Sequence, residues 1–219
     1  MADPFKITGP ACISFSGGRT SAYMLWRVLD ANNGLPDNCE VTFANTGKEC
    51  EETLEFVREC GERWNVPITW LEYIPDAPGF KVVDLASAAR NGEPFEAIIR
   101  KRQYLPNPVT RFCTIDLKIR IIAKLLKSYC WLQGDGVDMF IGIREDEQRR
   151  VVKIRANANS GSKHITNCVP LADAGITIAE VDAFWKAQPF NLRLPTYKGK
   201  TLAGNCDLCF LKGASQVAS

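Results

Sequence analysis

"ISFSGGRTSAYMLW", Ile13 to Trp26, passes from an apolar run through two glycines into a stretch with helical spacing. The preceding "ACISF" has the short apolar character of a buried strand. From Thr20 onward, Ala22, Leu25, Trp26 and Leu29 recur at i, i+3, i+4 and i+7, which is one face of a helix. A strand, a glycine turn and a helix in that order leave loop and first-turn amides without backbone acceptors, at the positive end of the helix dipole. Such a turn suits an oxyanion. Gly17 and Gly18 allow close main-chain approach, and Ser14, Ser16, Thr20 and Ser21 bring hydroxyl donors on either side of Arg19. A plain tight turn would need only one glycine and one capping hydroxyl. The pattern has no Gly-Lys-Ser or Gly-Lys-Thr and is not the dinucleotide fingerprint.

Working outward, strand and helix signals alternate. "EVTFANTG" reads as a second strand with its exit turn, Leu54, Val57, Gly61 and Trp64 mark a helix from about Glu51, and "ITWLEY" after Pro67 reads as a third strand. After Tyr73 the pattern breaks into "IPDAPGF" and a mixed stretch ending in "LPNPVTRF", which predicts an insertion over about 74–110. Ile115, Ile119, Ile122 and Leu126 restore a helical stripe, "DMFIGIR" gives another strand, and Ile178 to Trp185 suggests a last helix. The expected fold is α/β: one doubly wound, mainly parallel sheet in a single domain over 1–219, with a cysteine-bearing C-terminal segment from about 160.

The chain has 219 residues, 46% hydrophobic and 24% charged, enough for one large core. A net charge of +2 gives no global argument for nucleic acid or an anionic membrane, and the basic run Arg100 to Gln103 reads as solvated surface. A nucleic-acid substrate therefore has no support from charge. No apolar run approaches the roughly 20 residues that span a bilayer, and the N-terminus lacks the apolar core of a secretory signal. A cytoplasmic location without membrane contact is expected, with nine cysteines kept as thiols or ligands.

Among those cysteines, Cys12, Cys39, Cys60 and Cys130 have apolar neighbours and read as buried structural thiols, whereas Cys50 and Cys168 stay open. Cys206 and Cys209, as C-x-x-C, can ligate one metal from a single turn, and Cys113 is the third candidate. A redox pair is the alternative for the C-x-x-C. Arg144, Arg149, Arg150, Lys153 and Arg155 crowd a segment after a strand's carboxyl end, where open parallel sheets bind ligands. Arg144 and Arg149 are the oxyanion candidates because guanidinium forks match such groups, while Lys153 and Arg155 read as solvated.

These residues carry a family resemblance. "SFSGGRTS" resembles the PP-loop of the adenine nucleotide alpha hydrolase superfamily, Ser-Gly-Gly-x-Asp-Ser, with Thr20 in place of the Asp. "ANTGKECEET" resembles the Asp-Thr-Gly and later Glu-Thr signature of phosphoadenylylsulfate and adenylylsulfate reductases, with Asn45 for the Asp and Glu52 and Thr53 in register. "FCTIDLKIR", "GIREDEQRR" and "GNCDLC" are similar to that family's cysteine with its Lys-containing helix, its Gly-Arg segment and its late Cys-x-x-Cys, in the same order from Ile13 to Cys209.

The resemblance implies ATP, adenylylsulfate or its 3'-phosphorylated form, bound by Ser14, Ser16, Gly17, Gly18, Arg19, Thr20, Ser21, Asn45, Thr46, Gly47, Glu52, Gly142, Arg144 and Arg149. It also implies a [4Fe-4S] cluster, or zinc, on Cys113, Cys206 and Cys209, and a thioredoxin- or glutaredoxin-type reductant. Phe112 stands where the first of two paired cysteines is expected, so the fourth iron is either open or bound by Cys168 or His164. The chain stops ten residues after Cys209 without the family's nucleophilic cysteine, so no catalytic cysteine is assigned. Three readings stand: a reductase-like enzyme, an ATP-dependent sulfur transferase acting on a nucleobase, nucleic acid or small molecule, and a non-catalytic nucleotide- or cluster-binding regulator. The oligomeric state is open.

Overall fold

Six strands, β1 (Ala11–Ser14), β2 (Cys39–Ala44), β3 (Thr69–Glu72), β4 (Lys81–Val83), β5 (Val137–Ile141) and β6 (Ile165–Cys168), form one sheet in the order β4-β3-β2-β1-β5-β6. They are seen in a computed structural model that describes residues 3–134, 136–157, 164–202 and 209. Every pairing is parallel except β3 with β4. β1 is central: Ile13 lies opposite Val41 on one side and Phe140 on the other. The chain winds outward from β1 through β2 to β3, then returns to β5 beside β1. Strand order therefore reverses between β1 and β5, and the carboxyl ends of those two strands open the crevice where such sheets bind ligands.

The helices are α1 (Arg19–Asn32), α2 (Glu51–Trp64), α3 (Glu93–Arg102), α4 (Phe112–Thr114), α5 (Arg120–Ser128), α6 (Gln148–Ala156), α7 (Pro170–Asp173) and α8 (Ile178–Ala187). A π-helical turn, Ile115–Ile119, joins α4 to α5. Strand alternation sorts them to two faces. Ala11, Ile13, Phe43, Trp70 and Phe140 pack with α1, α2 and α8 around buried Met24, Phe56 and Trp185. Cys12, Ala44, Leu71 and Met139 point the other way, onto Ile98 of α3 and Leu117, Ile121, Leu125 and Leu126 of the next helical run. The result is a doubly wound α/β/α arrangement in one domain. At about 1.5–3 kcal/mol for each fully buried large side chain, these two cores are the main favourable term of the fold.

Helix ends follow their sequence signals. α1 and α2 stop at Asn33 and Asn65, both left-handed (φ 56° and 50°), whose amides return to carbonyls of the last turn. α8 starts with a capping box in which Glu180 Oε2 accepts the Thr177 amide at 2.8 Å and the Thr177 hydroxyl at 3.1 Å.

Several sequence expectations need correction. The broken pattern over about 74–110 nevertheless contains regular structure, the antiparallel edge strand β4 and the helix α3, which begins with Pro94 in its first turn, where a proline costs no hydrogen bond. The stripe Ile115, Ile119, Ile122 and Leu126 holds in its second half, where Ile122 and Leu126 are buried, but not in its first, where Ile115 and Ile119 are exposed (43% and 50%) and Leu117 is buried instead. The wider π turn resets the face that the next turns present. Cys130 is exposed rather than buried, in a left-handed turn (φ 59°) just past α5. Cys12, Cys39 and Cys60 are buried as expected. Among the described residues, no helix is long and apolar enough to cross a membrane.

Candidate functional site

The loop after β1 is built by its own serines. Ser21 Oγ accepts the Ser16 amide (3.2 Å) and the Ser16 hydroxyl (3.0 Å), and donates to the Gly18 carbonyl (3.0 Å). Its hydroxyl is fully used inside the loop, so Ser21 shapes the turn instead of donating to a ligand. Gly17 is buried at φ +74°, and a Cβ there would stand 2.6 Å from Thr53 Cγ2 and 3.1 Å from Phe43 Cε2. Only glycine lets the chain pass this close to α2. Gly18 caps α1 in extended conformation with no side-chain cap. Among the described residues, the amides of Gly17, Gly18, Arg19, Thr20 and Ser21 have no acceptor; the first intrahelical bond is Ala22 to Gly18. Five consecutive donors face the carboxyl edge of the sheet at the positive end of α1.

Arg19 does not join them through its side chain. Its guanidinium turns to Asn191, Leu192, Leu194 and Thr201. Ser14 ends β1, half-buried, paired with Thr42 and Ile141. Thr20 Oγ accepts from Arg144 at 3.0 Å, which ties the β5 exit to the first turn of α1. Gly142 makes that approach possible, since a Cβ there would lie 2.9 Å from Ser21 Cα.

Arg144, bonded to Thr20 in this turn, is already occupied. Asp146 accepts from its Nε at 2.8 Å and its second terminal nitrogen at 3.2 Å, while Glu147 accepts the Arg144 amide at 3.2 Å. The Arg144 hydrogen bond holds the Asp146 carboxyl below its usual range. Arg149, one position into α6, is exposed and makes no side-chain hydrogen bond or ion pair among the described residues. Arg150 pairs with Glu147, and Arg155 with Asp173 at 2.6 Å.

The β2 exit is an internally saturated loop. Buried Asn45 donates to Glu72 Oε1 (2.6 Å) and the Ala89 carbonyl (2.9 Å), and accepts the Gly47 amide (3.0 Å). Glu72 is fully buried, also accepts the Ala89 amide at 2.6 Å, and has Lys81 Nζ 3.0 Å from Oε2, near enough to pair though not aligned as a hydrogen bond. Asn45 thus has no spare polar atom for a ligand. Thr46 gives its amide (2.8 Å) and hydroxyl (2.9 Å) to Glu49 Oε2, whose other oxygen faces Lys118 Nζ at 3.5 Å. Gly47 (φ +74°) passes against Gly92 and Pro94. Glu52 is exposed in the first turn of α2, with no side-chain partner among the described residues. Sequence reading missed Glu49, although Thr46-x-x-Glu49 has the spacing at which a glutamate reaches back to the amide three residues before it. Glu72, Asp146 and Glu147 carried no such signal.

Lys118 reaching Glu49 places the start of the α4 to α5 run at the carboxyl edge, so half-buried Cys113 stands at that edge too, on the face of Leu117 and Ile121. Cys168 packs on the opposite face of the sheet and has its thiol pushed up to about 11 by burial. His164 precedes β6 at the amino end, where its carbonyl accepts the Val137 amide. Cys209 is half-buried, and Cys206 lies outside the described residues. No group of three His, Cys, Asp or Glu side chains that could hold a metal occurs among the described residues. Those residues alone do not form a cluster site.

No protein-family model matches the chain. It is 29% identical over 214 residues to the uncharacterized nin region protein ORF290 of Escherichia phage lambda, covering 94% of this chain and 67% of that protein. It is also 29% identical over 167 residues to the uncharacterized protein MJ0066 of Methanocaldococcus jannaschii, covering 76% of this chain but only 29% of that one. The chain thus spans about two thirds of the phage relative and under a third of the archaeal one. Among solved structures, it is similar to the crystal structure of phosphoadenylyl-sulfate reductase from Candida auris in a phosphate complex, at 15% identity and a TM-score of 0.48, over 84% of this chain and 76% of that chain.

Proposed function

We propose that this chain is an enzyme that binds an adenine nucleotide through a phosphate or sulfate group held by the main-chain amides of Gly17 to Ser21. The run of five acceptor-free amides where strand order reverses carries the reading. Aligned amides at a helix start bind oxyanions through hydrogen bonds and the helix dipole together. Thr20, whose hydroxyl proton has no acceptor among the described residues, and Arg144, once released from Asp146, would add to the same site. The adenine part rests on the sequence resemblance.

The reaction proposed is reductive cleavage of a nucleotide sulfate: two electrons from a thioredoxin- or glutaredoxin-type dithiol release sulfite and the adenosine phosphate and leave a disulfide on the donor. A [4Fe-4S] cluster, or zinc, on Cys113, Cys206 and Cys209 belongs to the same proposal and rests on the sequence alone. The second reading is an ATP-dependent sulfur transferase, favoured by the retained Gly17-Gly18 pair, with a nucleobase, nucleic acid or small molecule as acceptor. Anaerobic assays separate the two: sulfite released from adenylylsulfate or its 3'-phosphorylated form supports the first, and pyrophosphate released from ATP supports the second. Tight nucleotide binding without either product would leave only the regulatory reading.

A further inference from the structure

Arg19 occupies the first position of α1, inside the loop that should meet the anion, yet its guanidinium makes four hydrogen bonds away from that loop. Nε donates to Asn191 Oδ1 at 2.6 Å, one terminal nitrogen to Thr201 Oγ1 at 2.9 Å, and the other to the carbonyls of Leu192 and of Leu194 (3.4 Å for the latter). Asp182 of α8 supplies the facing negative charge. The main chain is tied as well, because Trp185 Nε1 donates to the Arg19 carbonyl at 2.9 Å while Asn191 Nδ2 donates back to the Trp185 carbonyl at 3.2 Å. The held segment closes on itself as a small hairpin, β7 (Thr196–Tyr197) with β8 (Lys200–Thr201), and the Leu202 amide donates to the Pro195 carbonyl at 2.9 Å. Thr201, the last partner, precedes Cys206 by five positions.

We infer that Arg19 is a positioning residue and not an anion ligand: it fastens the carboxyl-terminal strap, residues 190–202, to the oxyanion loop, so that anion occupancy and strap order are coupled. The Arg19 amide is one of the five open donors, while its guanidinium holds the strap and its carbonyl is held by Trp185 of α8. An anion that fixes the amide fixes the anchor, and by reciprocity an ordered strap tightens anion binding. The coupling half rests on the oxyanion reading; the fastening half does not. A lysine at this position would keep the charge but lose the planar fork that serves several acceptors at once.

Hydrogen exchange read by mass spectrometry, on wild type, R19K and T201V, with and without inorganic phosphate or ATP, tests both halves. Without ligand, R19K is expected to exchange at least tenfold faster across 192–202, with β1, β2 and α2 unchanged, and T201V to change in the same direction but less. Phosphate or ATP should slow exchange in the wild-type strap and at Gly17 to Ser21, but only at Gly17 to Ser21 in R19K. An unchanged strap in R19K would overturn the fastening. Loss of phosphate protection at Gly17 to Ser21 in R19K, with strap protection intact, would make Arg19 a ligand and overturn the inference. If neither ligand protects the wild-type loop, the oxyanion reading and the coupling both fall, while the ligand-free comparison still decides the fastening.

Discussion

Replacing Asn45 by Asp, the residue of the reductase signature at this position, is expected to damage the protein in a pH-dependent way. Asn45 Nδ2 lies 2.6 Å from Glu72 Oε1, and both side chains are completely buried. An Asp puts a second carboxylate against the first and leaves the Ala89 carbonyl without its donor. Two unit charges about 4 Å apart at an effective dielectric of about 20 repel by roughly 4 kcal/mol. Lys81, 3.0 Å from the far oxygen of Glu72, offsets part of this, and the orphaned carbonyl adds about 1 kcal/mol, so a loss of about 3–4 kcal/mol at pH 8 is expected. The introduced carboxylate and Glu72 escape the repulsion by sharing a proton, which raises the folded-state pKa of the pair above the unfolded values. Native protein then binds more protons than unfolded protein, so stability is present at low pH and falls as pH rises, by up to about 1.4 kcal/mol per pH unit for one proton. Urea unfolding of N45D and wild type from pH 5 to pH 8 reads this as a difference that widens with pH. A difference that is flat with pH, or absent at pH 8, would refute the packing of Asn45 against Glu72.

D146N should free Arg144 and raise affinity for inorganic phosphate about three- to tenfold by titration calorimetry, since a half-exposed pair is worth about 1 kcal/mol; no gain would mean that Arg144 does not face the anion. The hydrogen bond from Arg144 depresses the Asp146 pKa, so that pair's stabilisation is present at neutral pH and fades as pH falls below the ordinary carboxylate range; this acid limb should be missing in D146N. G17A combines a left-handed alanine with a Cβ 2.6 Å from Thr53, and should lose about 2–4 kcal/mol by urea unfolding. Alkylation of native protein at pH 8 should label Cys130 within minutes and spare Cys12, whose thiol burial pushes up to about 12, along with buried Cys39 and Cys60.

The strand, glycine turn and helix at Ile13 to Trp26 were legible because apolar spacing and glycine conformation are local properties. The alternation that follows was enough to imply a doubly wound sheet. What Arg19 does was not legible, because its partners Asn191 and Thr201 lie 172 and 182 positions away and carry no motif. Ser21 could be recognised as a hydroxyl near the loop, but only coordinates show that Ser16 and Gly18 use it up. The phase of the first turn after Cys113, through Ile115 and Ile119, failed because spacing rules assume 3.6 residues per turn, and the Ile115–Ile119 turn is wider; Ile122 and Leu126 beyond it are buried as read. α3 was hidden by flanking prolines, which break helices inside but not at the first turn. That Asn45 is bonded to a buried Glu72 on the neighbouring strand needed the sheet to be seen.

The most direct test of the account is an amide proton–nitrogen NMR titration of the full chain with adenylylsulfate, and with ATP in parallel. Downfield movement of the Gly17, Gly18, Arg19, Thr20 and Ser21 amides, saturating together with one dissociation constant, is the expected result. Saturation at other residues with those five unmoved would contradict the claim that this loop holds the oxyanion.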